Sequence, residues 1–133
     1  MELYCCLYNE FLYNKIIGVN DMHVIFLVLN KIECLDDVLA KLKKAGVTGG
    51  TIIDSTGMVK KLEDSAESYI LGSLRLFLED PRPESKTLFF IINDNQVELV
   101  RKTVDEALGG INNPNTGILF GFPISFADGL MKK

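Results

Sequence analysis

The sequence predicts an α+β sandwich made of two βαβ halves, in the order βαββαβ. Three observations carry that expectation. A β-branched and aromatic run near residue 23 recurs near residue 87, an amphipathic helical pattern follows each run, and the halves keep a fixed offset. Asn30 and Asn93 are 63 positions apart, and so are Gly46 and Gly109.

Residues 23–29 (HVIFLVL) form a continuous apolar run long enough for a buried strand. Leu35, Val38, Leu39 and Leu42 then recur at helical spacing. Asp36 and Asp37 fall in the first turn of that helix and Lys41, Lys43 and Lys44 in its last turns, an order that complements the helix dipole. Gly46 reads as the residue that ends it, and residues 51–54 (TIID) as a short second strand. In the second half, residues 87–92 (TLFFII) read as a buried strand. Asn93 with Gln96 has the spacing of a capping box, and Val97, Val100, Val104, Ala107 and Leu108 make an apolar stripe that Gly109 terminates. Residues 118–126 (ILFGFPISF) read as the last strand, with Pro123 placing part of it at an edge. Right-handed crossovers join such halves into a split βαβ, or ferredoxin-like, sandwich with both helices on one face. The strands are apolar at both parities, so the other face is expected to avoid water, and association through it is the simplest remedy.

Residues 1–21 stand outside this pattern. They hold three of the four tyrosines, and Leu3, Leu7 and Phe11 with Tyr4, Tyr8 and Leu12 suit one face of a short helix. Polar residues interrupt the segment too often for a signal peptide, and no run reaches the ~20 apolar residues of a membrane span. It reads as an extension outside the folded unit, with Met22 as the natural start, or as a docking element for a neighbouring subunit. The domain proper is then 22–133.

The 133 residues suit one domain, and the hydrophobic (47%) and charged (24%) fractions are ordinary for a globular chain. A net charge of −4 argues against broad nucleic-acid binding, which rests on neutralising phosphates. Three cysteines, two of them adjacent (Cys5, Cys6), argue against a disulfide framework and for a reducing, cytoplasmic setting. His23 is the only histidine, too few for a multi-histidine metal site, and with Cys34 it supplies two ligands where a closed site needs four. Asp36 and Asp37 are explained by the helix dipole rather than by paired-carboxylate catalysis. Ser55-Thr56-Gly57 has no flanking base to activate a nucleophile. No residue is assigned a catalytic role, and a non-enzyme is expected.

The halves are separated by residues 55–86, a long connection for a compact domain. A helix is expected inside it, with Asp64 as N-cap and Ile70, Leu74, Phe77 and Leu78 as its apolar positions; Pro81 and Pro83 close it. Lys60, Lys61, Arg75, Arg82 and Lys86 place cations in this stretch of an acidic chain. It reads as a recognition loop or a cover for an anionic ligand, against the simpler reading of a solvated surface. Residues 112–117 (NNPNTG) read either as a tight turn or as a ligand-binding loop.

Leu35-Asp36-Asp37-Val38 followed by Gly46-Val47-Thr48-Gly49-Gly50-Thr51-Ile52, within the order βαβ, long loop, βαβ, resembles the PII-type nitrogen regulatory proteins. The resemblance runs from Met22 to about Ser125. It implies a ferredoxin-like subunit assembled as a homotrimer, with nucleotide sites in the clefts between subunits. It implies a T-loop, here 55–86, that engages a transporter, enzyme or regulator. It also implies a phosphate-cradling B-loop at 112–117. Thr51, Gly57, Asn113, Thr116 and Gly117 are the positions that follow the family pattern or supply neutral hydrogen bonds. The chain departs from that pattern elsewhere. Val59 replaces the second T-loop glycine, Lys61 stands at the glutamine used with magnesium and 2-oxoglutarate, and Ile118 stands at the phosphate lysine. The arginine pair after the last strand has no counterpart in Ala127-Asp128-Gly129-Leu130-Met131, and Tyr69 lacks the surroundings of a modification motif. Lys60, Lys61, Arg82 and Lys86 are the cations available to compensate. The resulting expectation is a trimeric regulator that binds a small anionic metabolite, with ATP, ADP and AMP as candidates, and signals to a protein partner. A ligand-free adaptor trimer is the alternative, and a member of the trimeric copper-tolerance family, which shares the subunit architecture, is the third.

Overall fold

β1 (Met22–Leu29) and β3 (Ser85–Asn93) are the two central strands of a four-stranded antiparallel sheet. β2 (Thr51–Ser55) and β4 (Gly117–Ile124) flank them, so the strand order is β2-β3-β1-β4. The computed structural model describes residues 22–58, Lys61 and residues 84–130. Helix α1 (Leu35–Lys44) joins β1 to β2, and α2 (Val97–Leu108) joins β3 to β4. This is the βαββαβ, ferredoxin-like arrangement that the sequence predicts. The helix expected at residues 64–78 and the segment 1–21 lie outside the described residues.

Each half begins and ends its helix in the same way. A single 3₁₀ turn precedes each, Ile32–Cys34 before α1 and Asp94–Gln96 before α2. The expected capping box forms: the Asn93 amide donates to Gln96 Oε1 at 3.1 Å. Both helices stop in a Schellman motif. Gly46 (φ +93°) donates to the Lys43 carbonyl and Val47 to that of Leu42, while Gly109 (φ +68°) donates to Glu106 and Gly110 to Asp105. The 63-residue offset is therefore a repeat of structure, because only a residue tolerant of left-handed backbone closes such a cap without strain.

Strand alternation divides the sheet. Ile25, Leu27 and Leu29 of β1 and Leu88, Phe90 and Ile92 of β3 point to the helices. There they bury Val38, Leu42, Val100, Val104 and Leu108 in one core. The opposite parity makes the other face. Phe26 lies at its centre, with ring centroids 5.6 Å from Phe89, 5.2 Å from Phe120 and 6.1 Å from Phe122. Among the described residues no helix covers this face, and Ile53 (48%), Ile118 (61%), Phe120 (47%) and Phe122 (49%) keep about half of their surface exposed.

Three strands, β2, β3 and β4, differ from expectation in their bounds. β4 stops at Ile124, which pairs with Met22, rather than at 126; among the described residues Phe126 pairs with no strand, and it is exposed. β2 and β3 are each longer at the insertion. Ser55 pairs with Ser85, and their hydroxyls meet at 2.7 Å, with Thr87 Oγ1 donating to Ser55 Oγ at 2.8 Å.

Candidate functional site

The strand register places the predicted site residues. Asp54 pairs with Lys86, Lys86 with Leu29, and Leu29 with Gly117, so one row of residues crosses the whole sheet. The root of the insertion and the 112–117 loop therefore open at the same end of the sheet. They sit at opposite edges of it. At about 4.8 Å per strand, Lys86 and Gly117 lie about 10 Å apart and Asp54 and Gly117 about 14 Å.

At the β2 edge, Thr51 is the exposed first residue of its strand, opposite Phe89. Gly57 is exposed, with open space where a Cβ would stand, and its carbonyl accepts the Lys61 amide at 3.2 Å. Lys61 is exposed. Lys60 and Arg82 lie outside the described residues. Lys86 faces the helix side and donates to the Asp54 carboxylate. That hydrogen bond, reinforced by the attraction between the two charges, raises the lysine above its ordinary value of 10.5. Lys86 is thus a cation already engaged.

At the β4 edge, the loop is shaped by its own bonds. Asp105 Oδ1 accepts the Ile111 amide at 2.8 Å. The Asn113 side chain donates to the Gly109 carbonyl at 2.8 Å, and its amide donates to the Gly110 carbonyl. Asn115 adopts left-handed backbone (φ +56°). Thr116 is buried, and its hydroxyl lies 3.4 Å from the Pro114 carbonyl. Gly117 is required by close approach: a Cβ there would meet the Val28 carbonyl oxygen at 2.5 Å.

Sequence reasoning missed two contributors. The amides of Asn30 and Lys31 both donate to the Thr116 carbonyl at 3.1 Å, which brings a lysine-bearing turn to the end of the loop. The signal was present: Lys31 is the first charge after the apolar run of β1. Asp54, which engages Lys86, was read only as a strand residue. The structure brings the Lys31 backbone to Thr116, in the loop that also holds Asn113 and Gly117, and keeps Thr51, Gly57, Lys61 and Lys86 towards the other edge. Among the described residues no three His, Cys, Asp or Glu side chains gather to hold a metal ion, and no helix is long and apolar enough to cross a membrane.

No protein-family model matches the sequence, and no curated protein matches it. Solved structures do. GlnK of B. subtilis in complex with ATP is 19% identical, with a TM-score of 0.54, over 80% of this chain and 84% of that one. PII of Arabidopsis thaliana bound to citrate is also 19% identical, with a TM-score of 0.57, over 80% and 79%. A DUF3240-family protein of Shewanella baltica OS155 is 12% identical, with a TM-score of 0.57, over 84% and 98%. The chain has the fold of PII-type proteins, at low sequence identity to those of known structure.

Proposed function

We propose that this chain is a PII-like regulatory subunit that works as a homotrimer, joined through the open sheet face. The observation that carries the reading is the open face itself. Phe26, Phe89, Phe120 and Phe122 stack in one patch, and Ile53 and Ile118 extend it toward both edges. A patch of this kind marks an interface. Packing three such faces together would bring the β2 edge of one subunit towards the β4 edge of the next. Gly57, Lys61 and the Lys60 and Arg82 of the insertion would then face Lys31, Asn113, Thr116 and Gly117 across a cleft that neither subunit completes alone.

The occupant of that cleft is a small anionic metabolite, with ATP, ADP and AMP as the first candidates. ATP and citrate, the ligands in two of the similar structures, are both polyanions. The reading is of a regulatory rather than a catalytic protein, in a cytoplasmic setting. Ligand binding would shift the population of the 56–84 segment towards the state that engages a protein partner, provided it binds that state better.

One observation favours a second reading, the ligand-free adaptor trimer. Lys86 is engaged by Asp54, the Asn113 amide group by Gly109, and the phosphate lysine of the family is Ile118 here. Each charge-assisted hydrogen bond lost is worth roughly 1.5–3 kcal/mol. Calorimetric titration with ATP, ADP, AMP and cyclic nucleotides separates the two. The sensor reading expects saturable heat for at least one of them, together with slower proteolysis within residues 56–84. Silence across the panel, with equal proteolysis throughout, leaves the adaptor.

A further inference from the structure

Lys86 and Asp54 face each other from neighbouring strands, on the helix side of the sheet. The phase of the backbone ladders shows what their contact contributes. One step beyond the Leu29–Gly117 pair, the Asn30 amide donates to the Thr116 carbonyl, so β1 turns Asn30 towards β4 and Leu29 towards β3. Lys86, the partner of Leu29, therefore spends its backbone groups on β1. Its pairing with Asp54 is a non-hydrogen-bonded one, the kind in which side chains stand closest. The β2–β3 ladder is carried by the pairs on either side, Ile53 with Thr87 and Ser55 with Ser85. On the opposite face the Ser55 hydroxyl meets those of Ser85 and Thr87 at 2.7 and 2.8 Å. The strands thus stay joined whether or not Lys86 holds Asp54.

The two partners are unequal. The Lys86 side chain is 33% exposed and the Asp54 side chain 86%. The lysine stem lies on the sheet with its ammonium at the surface, while the carboxylate stands in water and loses little hydration on leaving or returning. An exposed ion pair shifts an equilibrium by a factor of only about 1.4 to 5. The position is therefore open to exchange, and the group now in it shows the chemistry it takes: a carboxylate oxygen accepting from the ammonium. A polyanion exchanges favourably, because several negative charges attract one ammonium more strongly than a single carboxylate does.

We propose that Asp54 is a resident competitor for Lys86: its carboxylate holds the place of one oxyanion of the metabolite, and the bound polyanion displaces it into solvent. This rests on the sensor reading above and names the residue that sets its affinity. Lys86 is then a binding cation held in reserve rather than one lost to the site.

Calorimetric titration of the full-length protein with ATP and with citrate tests the proposal. Asp54→Asn keeps the shape of the side chain and removes its charge, and should bind at least one of the two probes about threefold tighter than the unaltered chain. Glu84→Gln removes the same charge from a residue that acts on Lys86 only at a distance, and should have a smaller effect. In a Lys86→Met background, Asp54→Asn should tighten binding no more than Glu84→Gln does, which separates competition for the lysine from general repulsion. Amide exchange at Ile53 and Ser85 should be the same in Asp54→Asn as in the unaltered chain, since the ladder does not depend on the contact. Equal affinity in the unaltered chain and Asp54→Asn would overturn the proposal and leave the sensor reading standing. So would tightening that persists in full in Lys86→Met, or faster exchange at Ile53 and Ser85 in Asp54→Asn. Absence of saturable binding of both probes, to the unaltered chain and to Asp54→Asn alike, would overturn the proposal and the sensor reading together.

Discussion

Replacing Phe120 and Phe122 together by glutamate should dissolve the assembly without unfolding the subunit. Each ring is about half exposed in the isolated subunit. A phenylalanine buries 150–250 Å² when fully covered, so about 100 Å² per ring remains for a neighbour to bury. At about 25 cal/mol per Å² that is about 2.5 kcal/mol per ring and about 5 kcal/mol per subunit. Glutamate removes this term and adds a carboxylate that would have to be dehydrated on assembly. The cost inside the subunit is smaller, because the rings contribute there mainly through stacking on Phe26, about 0.5–1.5 kcal/mol per pair. Sedimentation equilibrium should show the unaltered protein as a trimer and the double variant as a monomer at micromolar concentration. Circular dichroism should show the fold retained, with a melting temperature lowered by several degrees. A double variant that stays trimeric, or one that unfolds outright, would refute the assignment of this face to the interface.

Leu27→Ala should lower the unfolding free energy by about 2–5 kcal/mol in a denaturant titration, because Leu27 is fully buried between the sheet and both helices. Gly117→Ala should cost more than an ordinary surface change, about 1–3 kcal/mol, since its Cβ would force apart the β1–β4 ladder beside Val28; the same assay and the loss of slow-exchanging amides at Leu29 check it. The Lys86–Asp54 pair carries a pH dependence with a definite sign. The lysine is raised in the folded state, so its contribution is complete below pH 10.5 and is lost as pH rises through the folded value. Chemical denaturation between pH 9 and 12 should show this as a small loss, since the pair is exposed and screened by solvent, and Lys86→Met should abolish it.

The parts of the fold legible in the sequence are those set by local chemistry. The strand runs, the apolar stripes of both helices, the Asn93–Gln96 box and the glycines that close each helix all follow from side-chain period and backbone freedom. The aromatic face was legible too, because Phe26, Phe89, Phe120 and Phe122 occupy the parity that the core does not use. The site was less so. Lys86 looked like an available cation until register placed Asp54 opposite it, and a pairing between residues 32 positions apart leaves no local trace. Lys31 was overlooked for the same reason: its proximity to Thr116 comes from β1 and β4 lying side by side. The apolar run continues to Phe126, but the pairing of β4 with β1 ends at Ile124 opposite Met22.

The central claim is that the aromatic side of the sheet is an interface between copies. Native mass spectrometry of the full-length protein, purified from its own host, tests it most directly and reports any small molecule that stays bound. Three chains per particle, with Phe120→Glu/Phe122→Glu giving one, is the result expected. A single chain per particle across the micromolar range would contradict the account.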